Sequence, residues 1–321
     1  MELLKKLCRA NSCSGNESEV IKIIEKEIKK YVDEVYTDTL GNLIARKKGN
    51  GKKLMLSAHA DEIGVVVTFI DDDGFCRFSN VGGISQKDLV GRRVVFSNGT
   101  SGVIFKEETE KETKISKMYI DIGAKNKEEA SKSVSVGDTA AFEGSFYENE
   151  RRIISKALDN RIGCYALIRT AEKMKSDNDV YFVFSSQEEV GLRGARTAAF
   201  KISPDMALAV DVTDTGDTPK AEPMEISLGK GAAIKVMDRS IICHSEVRGL
   251  LIELAKKNKI PCQLEVMTHG GTDAGVIHLT KDGIKTGGVS IPVRYIHSPS
   301  EMADKSDLEN VIDLLVAFCE N

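Results

Sequence analysis

A chain of 321 residues is long enough for about two domains, and 41% hydrophobic with 29% charged residues is the balance of an ordinary folded globular protein. The formal net charge of −4, with no local basic stripe to offset it, argues against a nucleic-acid partner. Seven scattered cysteines without a Cys-x-x-Cys, and no apolar run near the roughly 18 residues of a membrane span, predict a cytoplasmic protein with reduced thiols and no membrane partner.

Charges interrupt the apolar residues of Met1-Glu-Leu-Leu-Lys-Lys-Leu7, which reads as the start of an amphipathic helix rather than a signal peptide. A second helix is expected over Val20 to Ile28, with Ser14 and Glu17 at capping-box spacing ahead of it. Strands follow at Val35 to Thr37, Leu43 to Lys47 and Lys53 to His59. The last is almost continuously apolar, as a strand covered on both faces should be.

From residue 65 to 150 the texture changes to short alternating runs with turn signals. Asp71-Asp-Asp-Gly74 and Asn98-Gly99 each separate two apolar runs, and strands are expected at 65–70, 75–78, 93–97, 103–106, 119–122 and 139–146. A helical patch at 127–132 interrupts them. This segment is read as a small all-β barrel inserted into a first domain made of residues 1–64 and 151–321. After Ile153, helices and strands alternate to the end of the chain: helix 162–174, strand 180–185, helix 194–200 and strand 206–212, then strand 232–237, helix 244–257, strand 263–267, a short helix from Thr272, strand 287–291 and helix 307–319. The fold class expected is therefore α/β, a mixed but mainly parallel sheet sandwiched by helices, with the barrel as a second unit.

Ligands of open α/β sheets gather beyond the carboxyl ends of the strands. His59 ends one predicted strand. Asp61, two residues on and on the same face, can accept the N–H of that imidazole while its other nitrogen binds a metal. Glu188 and Glu189 follow strand 180–185. Neighbours in extended chain point opposite ways, so one can ligate while the other serves as a general base. Asp211 ends an apolar strand, and His297 follows another in a Pro-bearing loop. Asp159 stands at the start of helix 162–174, where it also reads as an N-cap. Two imidazoles and several carboxylates suit a pair of divalent ions such as Zn²⁺, Co²⁺ or Mn²⁺. The loop Gly271-Thr-Asp273 has the look of a pocket wall. No His-Glu-x-x-His, Gly-x-Ser-x-Gly, Walker or Gly-x-Gly-x-x-Gly motif competes.

The blocks Ala58-His-Ala-Asp-Glu-Ile-Gly64, Ala157-Leu-Asp-Asn-Arg161, Gln187-Glu-Glu-Val-Gly-Leu-Arg-Gly-Ala195, Asp211-Val-Thr213, Gly271-Thr-Asp-Ala274 and Arg294-Tyr-Ile-His-Ser-Pro299 together resemble the tetrahedral metallo-aminopeptidases. This is the glutamyl and deblocking aminopeptidase family, some members of which carry a cellulase or endoglucanase label. The resemblance runs through the whole chain in the family's order. It implies a zinc-peptidase-like catalytic domain with two metal ions bridged by Asp159, one held also by His59 and Asp211, the other by Glu189 and His297. It further implies Glu188 as the base acting on a water shared by the ions, Asp61 as the orienter of His59, the barrel as a dimerisation domain, and dimers assembled into a dodecamer. The expected activity is removal of N-terminal residues from short peptides with a free α-amine. A metal-dependent deacylase of N-acyl amino acids, a metal-independent glycoside hydrolase and a noncatalytic assembly protein are the alternatives. Ala60 stands where the family often has Met, which touches no expected ligand.

Overall fold

The computed structural model describes residues 1–108 and 114–321. Two amphipathic helices, α1 (Glu2–Arg9) and α2 (Ser18–Ile28), lead into strands β1 (Glu34–Thr37), β2 (Leu43–Lys47) and β3 (Lys53–His59). Next come β4 (Gly64–Ile70), β5 (Cys76–Val81), β6 (Arg93–Phe96), β7 (Ser101–Lys106) and β8 (Met118–Asp121), the short α3 (Lys127–Ala130), and β9 (Thr139–Phe142). The chain then returns through β10 (Tyr147–Glu148) and β11 (Arg152–Ser155) to α4 (Leu158–Lys173), β12 (Asp179–Ser185), α5 (Arg193–Ile202), β13 (Met206–Thr213) and β14 (Ala232–Met237). It finishes with α6 (Ser245–Asn258), β15 (Cys262–Val266), α7 (Ala274–Ile277), β16 (Lys285–Arg294), β17 (Glu301–Asp304) and α8 (Lys305–Cys319).

The large sheet runs β1-β2-β12-β3-β13-β16-β17-β11-β10, with β14 and β15 branching from β16. Its centre is parallel: β12 and β13 flank β3 and β13 continues onto β16, so their carboxyl ends open on one side. Every residue of β3 after Lys53 is buried. α4 and α8 pack against each other on this sheet, and thirteen of the sixteen residues of α4 are buried. Arg161 is fully buried there. Its guanidinium donates to the carbonyls of Leu7 (2.6 Å) and Ser12 (3.3 Å) and to Glu62 (3.2 Å), tying the N-terminal segment and the end of β3 to α4. Lys156 adds a second buried cation to Glu62 at 2.6 Å.

Strands β4-β5-β8-β7-β6-β9 close into a barrel with a separate core that includes Val65, Val67, Phe78, Ile104 and Ile120. The Asn98-Gly99 signal marks the β6–β7 hairpin, where Gly99 takes φ +87°, a conformation an L side chain resists. The barrel strands span Gly64 to Phe142, and Tyr147–Glu148 already pairs on the large sheet. Three short strands at one end of the sheet, β10, β11 and β17, carry no sequence signal strong enough to predict them. The capping box expected at Ser14 and Glu17 does not form. The Ser14 hydroxyl donates to Asp61 (2.6 Å), and Glu17 accepts from the Gly15 and Gln187 amides (2.7 and 3.2 Å). All seven cysteines are free thiols, six of them buried. Among the described residues no helix is long and apolar enough to cross a membrane.

Candidate metal centre

The centre lies beyond the carboxyl ends of the parallel strands. The register pairs His59 with Ser185, so β3 and β12 end side by side. His59 is 2% exposed, and its Nδ1 faces the Asp61 backbone carbonyl at 3.2 Å and the Asp61 carboxylate at 3.4 Å. Nε2 is thereby aimed into the cleft. The same Asp61 carboxylate accepts the backbone N–H groups of Glu188 (3.1 Å) and Glu189 (3.2 Å), fixing the turn after β12 from which those two side chains project. Asp211 sits two residues before the end of β13 rather than at it, because the strand continues on β16 as far as Thr213.

The other side of the cleft is built from irregular backbone. Ala157 is left-handed at φ +54°, and Asp159 and Asn160 depart from helical angles although α4 formally begins at Leu158. The peptide between Asp159 and Asn160 is cis. Asp159 is not the helix cap. Asn160 takes that work, its amide oxygen accepting from Gly163 N–H (3.1 Å) while its NH₂ donates to the Val210 carbonyl (2.8 Å). The Asp159 carboxylate is left free to enter the cleft. Its Oδ1 lies 3.0 Å from His59 Nε2, and its Oδ2 lies 3.2 Å from His297 Nε2. Glu189 approaches the same His297 nitrogen at 3.2 Å. On the first imidazole, Asp211 and Glu188 lie 3.7 and 3.9 Å from His59 Nε2.

All seven expected metal and catalytic residues therefore converge. Ligand atoms of His59, Asp159 and Glu189, and of His59, Glu188 and Asp211, fall within 4.8 Å of one another in two groups sharing His59. The electrostatics ask for positive charge. Burial and mutual repulsion push the Glu188 and Asp211 carboxyls well above the usual range and raise Glu189. Burial disfavours a charged imidazole, yet Glu188, Asp211 and Asp159 overrule it and hold His59 well above its ordinary value. His297 is pushed up to about 12 against the same burial by Asp159 and Glu189. Imidazole nitrogens and carboxylate oxygens crowded at one largely buried point fit a borderline divalent cation, which would supply the missing charge.

The cleft measures about 520 Å³ and is also lined by Gly271, Thr272 and the buried Lys235. Lys235 is ion-paired to Glu265 and to Asp238 (3.3 Å). Gly271 and Thr272 lie where a pocket wall was expected. Asp273 lies behind that wall, accepting from the hydroxyls of Ser57 (2.7 Å) and Ser185 (2.6 Å).

Sequence reasoning missed three contributors. Glu301, 2% exposed, accepts the backbone N–H of Asp159 at 3.0 Å and of His297 at 2.9 Å. Lys235 carried no signal beyond its strand. The barrel loop at Gly82-Gly83 reaches the centre: a Cβ on Gly83 would meet the His297 ring at 3.2 Å, and one on Gly82 would meet Glu189 at 3.2 Å. A Gly-Gly pair after a strand is the only hint the sequence offers of so close an approach.

A mixed sheet whose parallel centre delivers imidazoles and carboxylates to one cleft from its carboxyl edge fits a metal-dependent hydrolase. Comparison with known proteins narrows the class. Residues 41–314 match the model of the M42 glutamyl aminopeptidase family. A protein of Acetivibrio thermocellus is 57% identical over 99% of this chain and 98% of its own. The solved aminopeptidase APDkam598 of Desulfurococcus kamchatkensis superposes with a TM-score of 0.96 at 41% identity, covering 99% of this chain and 94% of its own. The TET1 peptidase of Pyrococcus horikoshii, described as assembling into a tetrahedron or a large octahedral shell, gives 0.90 at 35% identity over 100% and 99% of the two chains. The chain belongs to the M42 peptidase family. It is an aminopeptidase by that membership, and the expected fold and hydrolase class hold.

Proposed function

We propose that the centre holds two divalent ions bridged by Asp159 and that the enzyme removes N-terminal residues from short peptides. The observation that carries this reading is the division of one carboxylate: the two oxygens of Asp159 face two different imidazoles at 3.0 and 3.2 Å. His59 and Asp211 would complete one ion's shell, Glu189 and His297 the other's. Two such ions, whether Zn²⁺, Co²⁺ or Mn²⁺, would polarise the scissile carbonyl and acidify the attacking water. Glu188, its carboxylate 3.9 Å from His59 Nε2 and its backbone N–H held by Asp61, takes the proton of that water and returns it to the leaving amine. Its raised proton affinity suits a group that must accept and then release a proton. Asp61 keeps His59 oriented. The surrounding carboxylates give the substrate's free ammonium group an anionic site, with Gly271 and Thr272 on the substrate wall and Asp273 supporting them from behind.

The barrel, residues 65–150 with its short return, is assigned to dimer formation. Dimers would close into a tetrahedral dodecamer of the kind the TET1 likeness suggests, working in the cytoplasm. The test is Glu188→Gln assayed on matched aminoacyl substrates with free and with acylated amines. The variant should keep its metal and lose kcat by about 10²–10⁴-fold on the free-amine substrate. Full activity in a metal-replete variant would remove Glu188 from the chemistry. Faster turnover of the acylated substrate by the wild type would make the enzyme a deacylase.

A further inference from the structure

We infer that Glu301 is a positioning residue that presets half of the centre, joining Asp159 and His297 through their backbone before any ion arrives. The inference rests on the two-ion reading above and assigns a role to a residue that contacts neither substrate nor metal in it.

Asp159 and His297 come from segments far apart in sequence, and Asp159 lies 142 residues upstream of Glu301. Neither side chain extends from regular structure. Asp159 has non-helical angles at the head of α4, and His297 is left-handed at φ +63°, as is Tyr295 two residues before it. A non-glycine residue in that region persists only where its surroundings over-determine it. Glu301 supplies the determination. It opens β17, where its pairing with Ser155 of β11 sets it beside the approach to α4. Its Oε2 accepts Asp159 N–H and its Oε1 accepts His297 N–H, so each carboxylate oxygen serves one segment. Asp159 stands in the first turn of α4, where an amide has no intrahelical acceptor, and His297 lies in the loop between β16 and β17; Glu301 accepts from both.

This chemistry requires a carboxylate. A glutamine is isosteric but offers one acceptor oxygen, and its NH₂ would confront the other backbone N–H donor to donor. Asp61 performs the same task across the cleft, accepting the Glu188 and Glu189 amides on its two oxygens. The two carboxylates thus fix four of the residues whose side chains face the cleft, one pair each. Asp61 is distinguished by touching His59 as well.

The experiment is a Zn²⁺ and Co²⁺ titration of the full-length, metal-stripped wild type, Glu301→Gln and Glu301→Asp, followed by calorimetry and by the visible Co²⁺ spectrum. The wild type should take two ions. Glu301→Gln should weaken both, the ion at His297 and Glu189 most, by about 10–100-fold and with an altered spectrum, because that ion loses the preset of two of its ligands rather than one. Glu301→Asp keeps both acceptor oxygens on a shorter stem and should fall between the two. If Glu301→Gln does not fold, Glu301→Asp decides: weakened ion binding supports the inference and two unchanged affinities overturn it. Two wild-type affinities in folded Glu301→Gln overturn it outright. A wild type that takes up fewer than two ions overturns the two-ion reading itself, a result distinct from any effect of the substitutions.

Discussion

The two sides of the centre are built by different means. On one side His59, Glu188 and Glu189 stand where the parallel strands β3 and β12 stop together, in a register set by seven paired residues from Asp179↔Lys53 to Ser185↔His59. On the other side Asp159 and His297 come from irregular backbone, and one buried carboxylate holds both of their amides. Strand-end geometry is a property of the fold, inherited wherever the sheet forms. The irregular side depends on single residues whose loss the sheet cannot correct.

Removing the metal tests both sides at once and should have the largest effect. Exhaustive chelation is expected to lower peptidase activity on the order of 10³-fold or more, with recovery on adding back Zn²⁺, Co²⁺ or Mn²⁺, read with a chromogenic aminoacyl substrate. Next is Glu62→Ala. Glu62 follows β3 and receives Arg161 and Lys156 from the far side, so it joins the two halves through a buried ion network. Its loss leaves two buried cations without their carboxylate, and denaturant melts should show about 3–5 kcal/mol of destabilisation. Asp61→Asn then probes the strand-end side alone. It should lower kcat by about 10–100-fold and also lower the melting temperature, because the Asn NH₂ would face one of the two backbone N–H groups that Asp61 accepts.

Two smaller effects probe the irregular side. Gly83→Ala forces a methyl to 3.2 Å from the His297 ring, and activity should fall several-fold through kcat with little change in folding, which a kinetic assay and a melt distinguish. Asp217→Asn acts further back. Burial raises the Asp217 carboxyl, but Arg294, the last residue of β16 ahead of the His297 loop, overrules it and holds the group at about 2, from an ordinary 3.8. A lowered carboxylate stabilises the fold above its unfolded pKa and loses that contribution as pH falls from about 3.8 through about 2. The variant should be less stable than wild type by on the order of 1 kcal/mol at pH 7, with the gap closing toward pH 2 in thermal melts.

The same contrast explains what the sequence made legible. His59 and the Glu188-Glu189 pair could be placed because near-continuous apolar runs mark parallel strands, and ligands collect at their ends. The barrel was visible through its alternating runs and the Asn98-Gly99 turn. Glu301 was not visible, because its importance lies in which distant backbone N–H groups lack another acceptor, and no local pattern encodes that. Asp159 read as a helix cap for the same reason. The spacing marked a helix start but could not say that Asn160 would take the cap and release its neighbour into the cleft.

The most direct test of the account is the metal content of Asp159→Asn, measured by mass spectrometry beside the wild type after equilibration with Zn²⁺ and desalting. A bridging Asp159 predicts two ions per chain in the wild type and no more than one in the variant. Two tightly held ions in both would contradict it.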